Sequence, residues 1–206
     1  MKMDKVAVRA ALSTLAAIAV LSLGLLLVVI LAFPATMMTF SYKVWNDKGA
    51  MKYAYRAYET TGEVYFLGFA TRVAINLDNY EDVEYYGNEL LKDEELFSQY
   101  CLDIDQKENF EDGTYEMYLA GKFAVAKYEL GKKDEAQEYA FDSLEGAFPK
   151  NNAAMALLFA AMQKGDTETE NAVINKIRAL TPESVADCDY WRAFLDSYDF
   201  EKSNNN

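Results

Sequence analysis

The chain contains no histidine, only two cysteines and only three prolines in 206 residues. Without histidine there is no Ser-His-Asp triad, no Cys-His pair, no His-ligated zinc and no imidazole base. Two cysteines, Cys101 and Cys188, make no CxxC or other metal-binding spacing. Basic residues are also scarce, 20 against 33 acidic ones for a formal charge of −13. A nucleic-acid binder needs a basic face to neutralise phosphates, so no nucleic-acid partner is expected. No Gly-rich phosphate loop is present. What is abundant is apolar and aromatic content, 51% and 14% of residues, enough to build a core. The 15 tyrosines are the most conspicuous part of it.

One run stands apart. Residues 10–33, AALSTLAAIAVLSLGLLLVVILAF, carry no charge. A helix rises about 1.5 Å per residue, so this run spans a hydrocarbon core of about 30 Å with some tilt. It is too long for the apolar region of a cleaved signal peptide, and Phe33-Pro34-Ala35 puts a bulky residue where a cleavage site wants a small one. The reading is an uncleaved single-pass anchor in the cell membrane, with residues 1–9 as a short cytoplasmic tail. Lys2, Lys5 and Arg9 precede the run and Lys43, Lys48 and Lys52 follow it. The closer N-terminal cations place the N-terminus inside and the larger domain outside. Residues 34–45 are read as a juxtamembrane linker. Within it Phe40, Tyr42 and Trp45 have two readings, aromatic rings at the membrane interface or packing in the first soluble helix.

Beyond the anchor the chain carries 17 cations and 32 anions, a charge of −15. Apolar residues recur there at three- and four-residue spacing, which predicts helix nearly throughout. A period is visible. Around Gly131 the chain reads AVAKYELGKKDEAQEYAFDSLEGAFP, and around Gly165 ALLFAAMQKGDTETENAVINKIRALTP; the glycines are 34 residues apart and the closing prolines, Pro149 and Pro182, 33. Each unit is an apolar helix, a turn, a second amphipathic helix and a proline. Glycine permits the left-handed backbone that ends a helix, acidic residues favour the start of the next, and proline stops it. The segment 74–91 fits the same frame, and Asp47-Lys48-Gly49-Ala50 begins what reads as a lone second helix. Ala50, Val83 and Ala136 are separated by 33 and 53 residues, the latter a repeat plus an insertion near 98–116 that is loop-like or a short extra helix.

Gly131-Lys-Lys-Asp-Glu-Ala136, with Ala140 one turn on, resembles the tetratricopeptide-repeat superfamily over roughly residues 46–184. In that frame Ala136 takes the small position of the second helix and Pro182 the closing proline. Ala120 and Ala154 fall where the family has an early large residue. The chain departs from the pattern at Glu170, which replaces the small residue, and at Lys127, where an aromatic is usual and Tyr128 stands one place on. The first repeat lacks both glycine and proline. The fold class is therefore all-α: an N-terminal transmembrane helix, then an α-solenoid of about three tetratricopeptide-like hairpins over residues 46–200. A capping helix from Glu183 to about Phe200 carries Val185, Trp191, Phe194, Leu195 and Tyr198, and residues 201–206 form a frayed tail.

Little in the chain suggests reactive chemistry. Paired carboxylates such as Glu81-Asp82, Asp93-Glu94-Glu95, Asp134-Glu135 and Glu111-Asp112 could serve a glycoside hydrolase, but a solvated acidic face accounts for them. Asp103-Ile-Asp105-Gln-Lys-Glu108 lacks the central glycine and distal acid of a calcium loop. Cys101 and Cys188 flank two repeats, and layers about 10 Å thick would hold them beyond the ~7 Å bridging limit, so both are read as buried, unreactive thiols. No cofactor, metal or catalytic residue is expected. The resemblance implies a concave surface lined by the first helix of each repeat. Its contact candidates are Tyr65, Gly68 and Arg72, then Tyr118, Val125 and Tyr128, then Asn152, Met155 and Phe159. The function expected is a non-enzymatic membrane-anchored adaptor for a protein or peptide, with basic surfaces favoured by electrostatic steering. The alternatives are a structural subunit held through its anchor and a carboxylate-dependent hydrolase.

Overall fold

A computed structural model describes residues 5–145, 152–180 and 188–204. Among the described residues there are eleven helices and no strand: α1 (Lys5–Ala32), α2 (Pro34–Lys43), α3 (Asp47–Thr61), α4 (Val64–Asn76), α5 (Tyr80–Leu90), α6 (Glu94–Glu108), α7 (Thr114–Glu129), α8 (Lys133–Glu145), α9 (Asn152–Lys164), α10 (Thr167–Arg178) and α11 (Cys188–Asn204). The all-helical reading holds, and one N-terminal helix is long and apolar enough to cross a membrane. Its stretch Leu12–Ile30, 19 residues, covers about 28 Å at about 1.5 Å per residue. None of it is buried by the rest of the chain.

Proline explains the first break. The residue before a proline is pushed out of helical geometry, and Phe33 sits at φ −129° and ψ 62°. Pro34 then occupies the first turn of α2, where its missing N–H has no partner to lose. Residues 34–45, expected as a linker, thus carry a helix. The insertion near 98–116 likewise holds more than a short helix: α6 has 15 residues. At the C-terminus α11 runs on to Asn204, into the stretch expected to fray. Its expected start and Val185 lie outside the described residues.

A single turn geometry recurs. Trp45, Asp78, Gly131 and Gly165 all take positive φ, at 59°, 49°, 78° and 67°. The residue after each donates its backbone N–H to the carbonyl five positions back: Asn46 to Ser41 at 2.9 Å, Asn79 to Ala74 at 3.0 Å, Lys132 to Lys127 at 3.0 Å and Asp166 to Ala161 at 2.9 Å. This is the bond that closes the last turn of a helix around a left-handed residue. In three of the four, the same donor residue then caps the following helix. Asn46, Asn79 and Asp166 accept through their side chains from the N–H groups of Gly49, Asp82 and Thr169, at 3.0, 3.4 and 3.3 Å. Five positions past each left-handed residue stand Ala50, Val83, Ala136 and Glu170, all buried. The last is the departure from the small-residue pattern, and its carboxylate accepts a hydrogen bond from the Tyr198 hydroxyl of α11.

The chain divides into two compact units, residues 1–70 and 71–206. In the first, α2 packs on α3. Pro34, Met38 and Ser41 face inward from α2, and Ala50, Met51, Ala54 and Ala57 from α3. In the second, α7 contacts α5, α6, α8 and α9; α9 also meets α8 and α10; and α10 meets α8 and α11. Its core alternates small and branched residues. Ala120, Ala124, Ala136, Ala140, Ala153, Ala154 and Ala161 let helices approach, and Leu144, Leu157, Leu158, Val173, Ile174 and Ile177 fill the space between them. Trp191 of α11 closes this core, with Phe194, Leu195 and Tyr198 packed beside it, the stripe read in the sequence as a cap.

One close approach is decided by a missing side chain. A Cβ at Gly87 of α5 would lie 2.7 Å from the Phe123 ring of α7, and that ring is itself buried. Alanine favours a helix interior over glycine by about 1 kcal/mol. We nevertheless expect Gly87→Ala to destabilise the second unit by about 1–3 kcal/mol, because overpacking a closed site outweighs propensity. A denaturant midpoint checks this, and Phe123→Leu should recover part of the loss in the double mutant.

Candidate interaction surface

The helices α7 and α9 pack on each other, and each leaves apolar side chains in solvent. On α7 the stripe is Tyr118, Lys122 and Val125; on α9 it is Phe159 and Met162. Val125 and Phe159 are 34 residues apart, as are Tyr118 and Asn152. Phe159 is 51% exposed, Met162 38% and Tyr118 37%. Large apolar side chains left in water on neighbouring helices form the kind of patch that partners cover. Met155 is half-buried and packs against the core. Asn152 opens α9, and its side chain lies outside the described residues. Tyr65 is exposed on α4, while Gly68 one turn on is buried.

Tyr128, expected in the groove, is instead buried at 4% exposure. Its hydroxyl donates to Asp166 at 2.9 Å, and the Lys164 ammonium lies 5.1 Å from its ring centre. The reason is register. Lys127, not Tyr128, turns toward α5, where it reaches Glu84 at 3.3 Å, so the aromatic one place on faces the neighbouring hairpin. Further ion pairs tie turn to turn: Lys132 to Glu84 at 2.7 Å, Lys133 to Asp166 at 2.7 Å and Lys164 to Glu129 at 2.5 Å. The Lys133 ammonium, with the Thr169 and Tyr128 hydrogen bonds, holds the Asp166 carboxyl well below the usual carboxylate range. Glu84 is pushed up by burial, but the hydrogen bonds from Lys132 and Lys127 outweigh this and keep it below its ordinary value. Such depressed carboxylates stabilise the fold at neutral pH and lose that contribution as pH falls through their folded values.

Arg72 is half-buried at the start of the second unit, and its charge acts on Tyr100, Tyr115 and Tyr118. The Tyr115 and Tyr118 rings stack with centres 5.8 Å apart, and Tyr100 meets Tyr115 edge-on at 6.0 Å. Beside them Cys101 is a free, buried thiol. Burial, then Glu116 and Asp105, push that thiol far above its ordinary range, so it holds its proton and is inert. The side chain of Cys188 lies outside the described residues.

Two depressions flank α7. A shallow one of about 60 Å³ is lined by Ile75, Asp78, Tyr80, Val83, Lys122 and Val125. A larger cleft of about 340 Å³ runs among Leu91, Glu94, Phe97, Glu116, Tyr139 and Asp142. Its three carboxylates suit a basic side chain. The acidic pairs singled out from the sequence sit mainly at helix starts. Asp93 caps α6 by accepting from the Leu96 N–H at 3.0 Å, Glu94 and Glu95 follow in the first turn, and Glu81-Asp82 and Asp134-Glu135 open α5 and α8. There the helix dipole favours negative charge. Asp103–Glu108 is continuous helix within α6. No three His, Cys, Asp or Glu side chains converge as a metal site among the described residues.

Met162 and Lys122 were missed in the sequence because the groove positions were taken from the family frame alone; the helical spacing from Phe159 and Tyr118 would have found both. Compared with known proteins, the chain matches no family model, no curated protein and no solved structure.

Proposed function

We propose that this chain is a non-enzymatic single-pass membrane protein. Its acidic domain is a tetratricopeptide-like array of helical hairpins capped by α11, and it binds a basic segment of a partner protein at the membrane surface. The observation that supports this reading most is the set of exposed side chains on two packed helices of a strongly acidic domain, Tyr118 on α7 with Phe159 and Met162 on α9. Aromatic and Met side chains give contact area at low ordering cost, while the surrounding carboxylates steer and select a cationic partner. The recurring turn and the contacts of α7 with α9 and of α8 with α10 support the repeat architecture. The anchor, with the N-terminus in the cytoplasm, raises the local concentration of the domain for membrane-bound or translocating partners.

Photo-crosslinkers placed at Phe159 and Met162 in the full-length chain, in native membranes, test this. The same discrete adduct is expected from both sites, lost at high salt and absent from a crosslinker at exposed Glu138 on α8. Adducts of equal yield from Glu138, or none from either stripe position, would overturn it. The bare lateral surface of α1 favours a second reading, a structural subunit held through its anchor. Exchanging α1 for an unrelated apolar helix should leave the adaptor working and abolish such a subunit.

A further inference from the structure

The helix α2 has two apolar faces, and only one of them is used. Pro34, Met38 and Ser41, spaced i, i+4 and i+7, are buried in the first unit. Phe33, Met37, Phe40 and Val44 repeat the same spacing on another side, and Phe33, Phe40 and Val44 are exposed. Tyr42, grouped with Phe40 and Trp45 in the sequence, is also exposed, but its ring meets Phe69 edge-on at 5.5 Å. Trp45 ends the row at 90% exposure.

Trp45 is also the anomaly of the recurring turn. The equivalent left-handed positions hold Asp78, Gly131 and Gly165, residues that tolerate positive φ, whereas a bulky aromatic there is strained. Among the described residues, little packs against the indole to offset that strain. The row starts one residue beyond Ala32, the last residue of α1, so whatever environment meets the end of α1 meets this face too. The local charge differs from that of the rest of the domain. Lys43, Lys48 and Lys52 cluster here with Asp47 as the single acid between positions 33 and 52.

Resting on the reading of α1 as a membrane span, we propose that α2 and Trp45 form a second membrane contact. Phe33, Phe40, Val44 and Trp45 enter the headgroup layer, and the nearby lysines reach lipid phosphates. Amphipathic rings are favoured at that depth, and lysine ammonium groups snorkel to the same interface. The contact pins the base of the domain against the bilayer, so the anchor acts as a fixed bracket instead of a loose tether.

Only two tryptophans are present, and Trp191 is buried in the core of the second unit. The emission of Trp45 is therefore obtained as the difference between the full-length chain and its Trp45→Phe variant, both reconstituted in liposomes containing anionic lipid. The expected result is blue-shifted emission, several-fold protection from aqueous iodide, and stronger quenching by a shallow nitroxide lipid than by a deep one. Trp45→Gly should abolish the difference signal and raise the thermal midpoint, since glycine relieves the strained turn. Resistance to carbonate extraction reports on α1 separately. A chain that is extracted defeats the anchor reading. A chain that resists extraction but leaves Trp45 open to iodide defeats this proposal alone. Protection from iodide without nitroxide quenching would put a second copy of the chain over Trp45, and would overturn it as well.

Discussion

Replacing Asp105 by alanine is expected to remove about 3–5 kcal/mol from the stability of the second unit. The carboxylate, on α6, is fully buried. Its two oxygens accept from the backbone N–H groups of Gly113 and Tyr115, both at 2.8 Å. These amides lie at the start of α7, where helical N–H groups have no partner within the helix. The cap comes from eight and ten residues upstream, across the left-handed Asn109 and the loop that follows α6. Deleting the carboxylate strands one buried and one part-buried donor, each costing up to about 1–3 kcal/mol, at the helix that most of the unit packs against. Against a typical stability of about 5–15 kcal/mol that loss is severe. Asp105→Asn keeps one acceptor and should lose roughly half as much. Thermal or denaturant midpoints of the full-length chain check both values, and equal, small losses for the two variants would show that the cap is dispensable.

Raising the pH above about 10 is expected to unfold the second unit cooperatively. Burial raises the ionisation of Tyr80, Tyr100, Tyr115, Tyr118, Tyr128 and Tyr139 above the ordinary phenol value. Tyr128, also bonded to the Asp166 carboxylate, is pushed up to about 12. The sign follows from the two states. The unfolded chain gives up these protons near pH 10 while the folded one holds them. The stabilisation is whole below that value and disappears as pH climbs through the folded ones. Several groups act together. Ultraviolet titration of tyrosinate alongside circular dichroism should show two classes of the 15 tyrosines, one ionising freely and one ionising only as helix is lost. A single class titrating near pH 10 with helicity intact would refute this.

The period of the chain was legible because it is written in local chemistry. Glycine at 131 and 165, an Asn or Asp cap at 46, 79 and 166, and a buried residue five places past each turn are signals a helix end needs wherever it sits. The first of these turns was hidden because Trp45 occupies a position where glycine is the usual sign, so α2 read as a linker. The insertion hid its helix for a related reason. The exposed acids of α6 obscure its buried positions, Phe97, Tyr100, Cys101 and Ile104. The expected contact positions were only partly readable. Tyr118 and Phe159 are exposed, Val125 is half-buried and Tyr128 is buried, since a one-residue shift of an α-helix turns a side chain by about 100°.

By itself the sequence determined that the chain is helical, that one segment can cross a membrane and where most turns fall. Each of these follows from hydropathy, helix periodicity and capping within a few residues of chain. The tertiary structure alone decided that Asp105 caps a helix on the far side of a loop. It likewise decided that Gly87 makes room for Phe123, that Tyr128 is a strut to Asp166, and that one face of α2 is left bare. Those depend on which helices meet and in what rotation, quantities set by the sum of many weak contacts between distant residues and carried by no single stretch of chain.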